Sequence, residues 1–229
     1  IILPKLQQQL TYAYKHSELY RKKWDVAGIK PEDIRSLGDF EAIPILTKDD
    51  LRTDQVEHPP FGSNLCVSYH QIGRVHGTSG TTGNPTAFGV SQGDIKRIAE
   101  THARVMWAMG VRPDDIVFIG SFFSLYWGSW GAMLGTERLG ASAFPFGAGV
   151  PGQSERAIEW MANVKPTVFY GTPSYSLYLA EKARAMGYDP AKDFNFRILF
   201  FSGEPGAGVP STRKRIEETY DAVCLDSGS

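Results

Sequence analysis

Asp115-Ile116-Val117-Phe118-Ile119-Gly120 is an apolar run of strand length closed by a glycine. It shows no alternation of apolar and polar residues, so it reads as a strand covered on both faces. Comparable segments follow at 142–146, 166–170, 197–201 and, opening a fifth strand, 222–225. Between them lie helical stretches at 128–139, 154–163 and 210–220, and one that Thr172 and Pro173 open as N-cap and first helical residue and that stops at Gly187. Upstream, 87–90 is short and extended. Ser91 then caps a helix with Asp94 in the capping-box position, and Gly110 ends it. Strands that alternate with helices and are apolar on both faces predict an α/β fold, a mostly parallel sheet covered by helices.

The front of the chain is different. Leu6, Leu10, Ala13, Ser17, Tyr20 and Trp24 recur at three or four residues, which predicts one amphipathic helix over 3–24. Thr47 is placed to cap a short helix, and the loop 59–64 separates a helical lead-in, residues 1–70, from an α/β region, residues 71–229. The net charge of −1 gives no electrostatic reason to bind nucleic acid or an anionic membrane. Two cysteines cannot build a disulfide framework, and no apolar run approaches the ~20 residues of a membrane span, so the cytoplasm is the expected compartment. The five histidines show no metal-ligand spacing with the cysteines, so no metal site is predicted within these residues. His102 lies on an apolar helix stripe and reads as a core residue rather than a base.

Chemistry points first to Val75-His76-Gly77-Thr78-Ser79-Gly80-Thr81-Thr82-Gly83-Asn84-Pro85-Thr86. Glycines let the backbone approach a ligand, successive amides form an anion-binding concavity, and the hydroxyls add donors. A polyphosphate suits such a loop. The spacing is not that of a P-loop, and the loop has no lysine. Three further loops follow strands: Phe122 to Trp127, Tyr170-Gly171-Thr172-Pro173 and Ser202-Gly203-Glu204-Pro205. In a parallel sheet all of these sit at the carboxyl edge, where ligands bind. A serine-hydrolase reading fails because no Gly-x-Ser-x-Gly elbow is present.

Ser-Gly-Thr-Thr-Gly-x-Pro resembles the phosphate loop of the adenylate-forming enzymes. Within that superfamily the chain is similar to the phenylacetate–CoA ligase family along nearly its whole length. The similarity is carried by Tyr20-Arg21-Lys22-Lys23-Trp24, Thr47-Lys48-Asp49-Asp50-Leu51-Arg52, Glu137-Arg138-Leu139-Gly140-Ala141, the stretch from Thr172 to Ala180, and Gly203-Glu204-Pro205. The resemblance implies an AMP-forming acid–CoA ligase. A carboxylate attacks the α-phosphorus of ATP to give an acyl-adenylate and pyrophosphate, and the thiol of coenzyme A then displaces AMP. ATP, Mg²⁺ and coenzyme A are the implied cofactors, and a small-molecule carboxylic acid is the implied substrate. A homodimer is left open.

By the same resemblance Thr78, Ser79, Gly80, Thr81, Thr82 and Gly83 would hold ATP phosphates. Ser202, Gly203, Glu204, Pro205, Asp226, Ser227 and Gly228 would lie on the adenine side, with Glu204 a structural residue of that turn. Phe123, Tyr126, Trp127, Tyr170 and Gly171 would line the acid pocket, which makes an aryl or arylalkyl acid the expected substrate. Three departures stand out. Asn84 and Thr86 occupy positions where members of the superfamily carry lysine, and Ser227 stands where an aromatic residue would stack on adenine. The family's metal-binding glutamate and catalytic lysine would fall beyond Ser229. Residues 1–229 are therefore expected to be the amino-terminal part of a longer protein, with Ile1 not its true start, and to make no acyl-CoA alone. Two alternatives remain: adenylation without coenzyme A, for a cofactor or carrier protein, and a non-catalytic nucleotide- or acyl-binding module.

Overall fold

The computed structural model describes residues 2–78, 86–148, 150 and 152–227. The chain divides into two compact units, residues 1–93 and 94–229. In the first, two helices, α1 (Ile2–His16) and α2 (Glu18–Val26), replace the single helix expected over 3–24. The break has a local cause. Buried Ser17 is extended, at φ −111° and ψ 117°, and its hydroxyl accepts from the Tyr20 amide at 3.3 Å, so it caps α2 instead of continuing α1. Apolar periodicity runs unbroken through this point, which is why pattern alone joins the two helices. Leu10, Trp24 and Ile34 form the small core.

Helix α3 (Lys48–Glu57) starts at Thr47 as expected. The Thr47 hydroxyl accepts from Asp50 N at 3.2 Å, and the Asp50 carboxylate accepts from Thr47 N at 2.6 Å, a complete capping box. Gln55 on α3 bonds both backbone groups of Ala87, its Oε1 accepting at 3.0 Å and its Nε2 donating at 2.7 Å. That holds the hairpin of β1 (Ile72–Gly77) and β2 (Ala87–Ser91), which pair antiparallel.

The second unit is the expected α/β layer structure. In chain order it comprises α4 (Gln92–Ala108), β3 (Ile116–Ile119), α5 (Gly128–Leu139), β4 (Ser142–Phe144), α6 (Gln153–Val164), β5 (Val168–Gly171), α7 (Pro173–Ala185), α8 (Pro190–Asp193), β6 (Ile198–Phe201), α9 (Pro210–Tyr220) and β7 (Val223–Asp226). All neighbouring strands are parallel, in the order β4-β3-β5-β6-β7. Side-chain alternation sends Phe118, Phe169, Leu199 and Phe201 to one face, where α6, α7 and α9 supply Ile158, Met161, Leu179 and Ile216. It sends Val117, Ile119, Val168, Tyr170, Ile198 and Phe200 to the other, against Met106 of α4 and Ala132 of α5. Both faces are dry, so the strands carry no polar alternation.

At the amino ends of the strands, buried Asp115 gathers several donors. Arg197 Nε reaches Oδ1 at 3.0 Å and its Nη2 reaches Oδ2; Thr167 Oγ1 donates to Oδ1 at 2.7 Å and Arg112 N to Oδ2 at 2.6 Å. These bonds lash together the entries to β3, β5 and β6. Neither Cys66 nor Cys224 is in a disulfide, and Cys224 is buried. Among the described residues no helix is long and apolar enough to cross a membrane.

Candidate ligand site at the carboxyl edge of the sheet

The strand order makes β3 and β5 the switch point of a doubly wound sheet. The chain leaves β3 toward α5 on one face and leaves β5 toward α7 on the other, the arrangement at which doubly wound sheets hold ligands in a crevice beyond the strand ends. Its floor is set by Gly120 and Gly171. A Cβ on Gly171 would stand 2.8 Å from Phe169 Cε1 and 3.5 Å from the Gly120 carbonyl oxygen, so the close approach needs glycine.

One wall is the segment from Ser121 into α5. Buried Ser129, in the first turn of α5, donates to the Phe122 carbonyl at 2.7 Å. Its oxygen lies 2.6 Å from Ser121 Oγ and 3.3 Å from the Tyr126 hydroxyl. Trp130 Nε1 donates to the Ser124 carbonyl at 2.8 Å and pins the loop a second time. Tyr126 is 36% exposed and its ring lies 5.1 Å from that of exposed Phe122. Phe123 turns inward, packs edge-on to Trp130 at 4.9 Å and joins the core under α5. Trp127 is half-buried at the start of α5.

The opposite wall comes from β5 and β6. Tyr170 is buried and its hydroxyl bonds Ser202 Oγ at 2.9 Å. Burial pushes the Tyr170 phenol above its ordinary range; the Ser202 hydroxyl works against that, and the nearby Tyr126 adds to it. Thr172 caps α7, accepting from Tyr175 N at 3.4 Å, with Pro173 following as expected. The turn after β6 has Gly203 at φ +91° and Glu204 Oε1 accepting from Ser174 N at 2.6 Å. Exposed Pro205 completes the turn. Beyond β7, Ser227 N continues the ladder to the Phe201 carbonyl at 3.0 Å, and the Asp226 carboxylate lies where a Cβ on Gly208 would stand 3.1 Å from it.

The second unit thus brings together the residues expected for the acid pocket, Phe123, Tyr126, Trp127, Tyr170 and Gly171, and those expected on the adenine side, Ser202, Gly203, Glu204, Pro205, Asp226 and Ser227, along adjacent strand ends. Gly228 lies outside the described residues, as do Ser79, Gly80, Thr81, Thr82 and Gly83. Thr78 does not lie at the carboxyl edge of the parallel sheet, as expected of its loop, but in the first unit, directly after β1 of the separate antiparallel β1–β2 pair. There it bonds Thr86 twice, Thr78 N to the Thr86 carbonyl at 3.1 Å and Thr86 N to Thr78 Oγ1 at 3.1 Å. Thr86 is buried, and its hydroxyl has no hydrogen-bond partner among the described residues. The Ser121–Ser129 pair was not anticipated. Its only sequence signal is a hydroxyl residue directly after the strand-closing glycine and another in the next helix's first turn. Among the described residues no three His, Cys, Asp or Glu side chains meet to hold a metal ion. These residues therefore do not make the Mg²⁺ site that the resemblance implies, and no step is assigned to a metal held by them.

No protein-family model matches the chain. It is 36% identical over 223 residues to the phenylacetate-coenzyme A ligase of Escherichia coli (strain K12), covering 97% of this chain and 48% of that protein. The Thermus thermophilus phenylacetate-coenzyme A ligase is 34% identical over 214 residues, with 93% and 46% covered. Among solved structures, a 2-hydroxyisobutyryl-CoA ligase in complex with 2-HIB-AMP and CoA superposes with a TM-score of 0.95 at 52% identity, over 100% of this chain and 49% of that one. ATP-bound MatB from Rhodopseudomonas palustris, at 16% identity and a TM-score of 0.52, shares the fold over 72% of this chain. The chain spans about half the length of the curated relatives it matches.

Proposed function

Because this chain belongs to the phenylacetate–CoA ligase-like adenylate-forming enzymes, we propose that the protein carrying it is an AMP-forming acid–CoA ligase. The observation that carries the reading is the match at 52% identity and TM-score 0.95, over the full described architecture, to a ligase captured with its acyl-AMP and CoA. The switch-point crevice between β3 and β5 is where an acid would sit with its carboxylate toward the nucleotide. A carboxylate oxygen attacks the α-phosphorus and pyrophosphate leaves; the CoA sulfur then attacks the acyl carbon, gives up its proton, and AMP leaves. Such chemistry asks the protein chiefly to position reactants and stabilise phosphoryl charge.

In this assignment the loop from Thr78 to Gly83 takes the phosphates, and Thr78 is itself held by two hydrogen bonds to Thr86. The turn from Ser202 to Pro205 and the end of β7 take the adenosine side. Glu204 acts by holding backbone, since its oxygen is spent on the α7 amide. Phe123, Tyr126, Trp127 and Tyr170 would supply aromatic surface for the acid beside Gly171, which supports a phenylacetate-like substrate. The relatives at 52–54% identity are 2-hydroxyisobutyryl-CoA ligases, which supports a small branched acid. The test is acid-dependent exchange of labelled pyrophosphate into ATP by the full-length protein, with thioester formation read after CoA is added. Exchange followed by thioester supports the reading. Exchange with no thioester makes it an adenylating enzyme with another acceptor, and nucleotide binding without exchange makes it a binding module.

A further inference from the structure

Helices α4 and α5 carry a cleft of about 380 Å³, lined by Glu100, Ala103, Arg104 and Trp107 of α4 and by Arg138 and Leu139 of α5. All six residues belong to the second unit. Trp107 and Leu139 lie in the last turns of helices that lead into β3 and β4, so the cleft sits toward the amino ends of those strands, away from the carboxyl edge. Buried Ala103 and half-buried Leu139 give it apolar surface, and Trp107 adds an indole that is 51% exposed. From outside the cleft the Arg112 guanidinium stacks on that indole, 4.0 Å from the ring centroid. Arg112 Nη1 also donates to the Trp107 and Val111 carbonyls at 2.9 and 2.8 Å. It therefore fixes the ring and offsets the negative end of the α4 dipole, which would otherwise repel an anion. Arg138 Nη2 pairs with Glu100 Oε2 at 2.7 Å. Arg104 has neither an ion pair nor a hydrogen bond among the described residues. Three guanidiniums against one carboxylate make this place positive on a chain whose net charge is −1.

We propose that this cleft binds a nucleotide, with its base on Trp107, its phosphates on Arg104 and Arg138, and its ribose hydroxyls or base amine donating to Glu100. An inorganic anion would use the arginines and leave the indole uncovered. An uncharged aromatic would cover the indole and leave Arg104 unpaired. A nucleotide engages the ring, the cations and the carboxylate together. The volume is in the range that holds one small molecule, and a single stacking ring suits one nucleotide rather than a strand. The site goes beyond the acid–CoA ligase reading and does not depend on it, since that reading puts adenosine at the carboxyl edge.

The experiment is equilibrium dialysis of labelled ATP against the full-length protein, with Mg²⁺ and without any acid, so that the nucleotide is not consumed. Two ATP are expected per chain. Trp107→Ala and Arg104→Glu should each weaken one of them by about tenfold or more, the loss of one base–aromatic stack or one charge-assisted hydrogen bond. Trp107→Phe, which keeps an aromatic face, should retain most of that affinity. Arg104→Glu leaves the Arg112–Trp107 stack untouched, so it separates lost binding from a disturbed helix end, and thermal unfolding confirms that each variant is folded. ADP should displace the second ATP better than inorganic tripolyphosphate does. If no bound ATP responds to Trp107→Ala and Arg104→Glu, the inference is overturned. Displacement by tripolyphosphate as effective as by ADP also overturns it, since the cleft is then a plain anion site. The ligase reading stands or falls separately, on acid-dependent pyrophosphate exchange, which both variants should leave unchanged.

Discussion

Glu204 Oε1 accepts a hydrogen bond from the Ser174 backbone amide at 2.6 Å, which fastens the turn after β6 to the first turn of α7. The bond satisfies one of the amides that a helix leaves unpaired at its start, and it places negative charge where the helix dipole favours it. Two loops that leave neighbouring strands are thereby held as one surface.

Glu204→Ala should cost about 1–2 kcal/mol in urea unfolding, and Glu204→Gln, which keeps the acceptor, should recover most of it. In the full-length protein Glu204→Ala should raise the KM for ATP several-fold more than the KM for the acid. The opposite pattern would move this turn away from the nucleotide.

The Asp115–Arg197 lash at the other end of the sheet predicts acid behaviour. Burial tends to raise the Asp115 carboxyl, but the hydrogen bonds from Arg197, Thr167 and the Arg112 amide outweigh it and hold the carboxyl below its ordinary value. A depressed folded value means that the stabilisation is present above the unfolded value of about 3.9 and is lost as pH falls through the folded one. Asp115→Asn should cost about 2 kcal/mol near neutrality, discounted because the Arg197 side chain is 45% exposed. Its stability should also fall less than the parent's between about pH 5 and pH 2, the interval in which such a carboxylate takes up its proton. Parallel acid-unfolding curves for parent and variant would contradict this.

Where helices α4 and α5 cross, glycine spacing predicts an order of sensitivity. A Cβ on Gly135 would stand 2.9 Å from the His102 carbonyl carbon and 3.1 Å from Ala103 N, backbone that cannot step aside. The three atoms nearest a Cβ on Gly131 all belong to the His102 ring, the first being Nε2 at 2.2 Å, and that ring can turn once its Nδ1 contact to the Ile98 carbonyl is given up. Gly135→Ala should therefore destabilise by about 1–3 kcal/mol and Gly131→Ala by less. Chemical denaturation of both checks the order, and a reversed order would show that the crossing is looser than its geometry.

Much of the second unit was readable because each strand is a short apolar run bounded by glycine, proline or a capping residue; Thr172-Pro173 and the helix from Pro210 to Tyr220 fall where those signals put them. The strand order was not readable, since β3, β5 and β6 carry nearly interchangeable apolar faces and only packing chooses their neighbours. The Ser17 break was hidden by a side-chain bond that leaves the apolar period untouched. In the site, carboxyl-edge loops could be identified because parallel sheets place them there. The Ser121–Ser129 contact joins residues eight apart through a loop that doubles back, and no local pattern encodes that.

The central claim is that the protein activates a carboxylic acid through its adenylate and passes the acyl group to coenzyme A. The most direct measurement is product analysis of the full-length protein incubated with ATP, Mg²⁺, coenzyme A and each acid in turn, quantifying AMP, ADP, pyrophosphate and thioester together. AMP, pyrophosphate and thioester are expected in equal amounts, formed only when an acid is present. Release of ADP and phosphate, or AMP formation that ignores the acid, would contradict it.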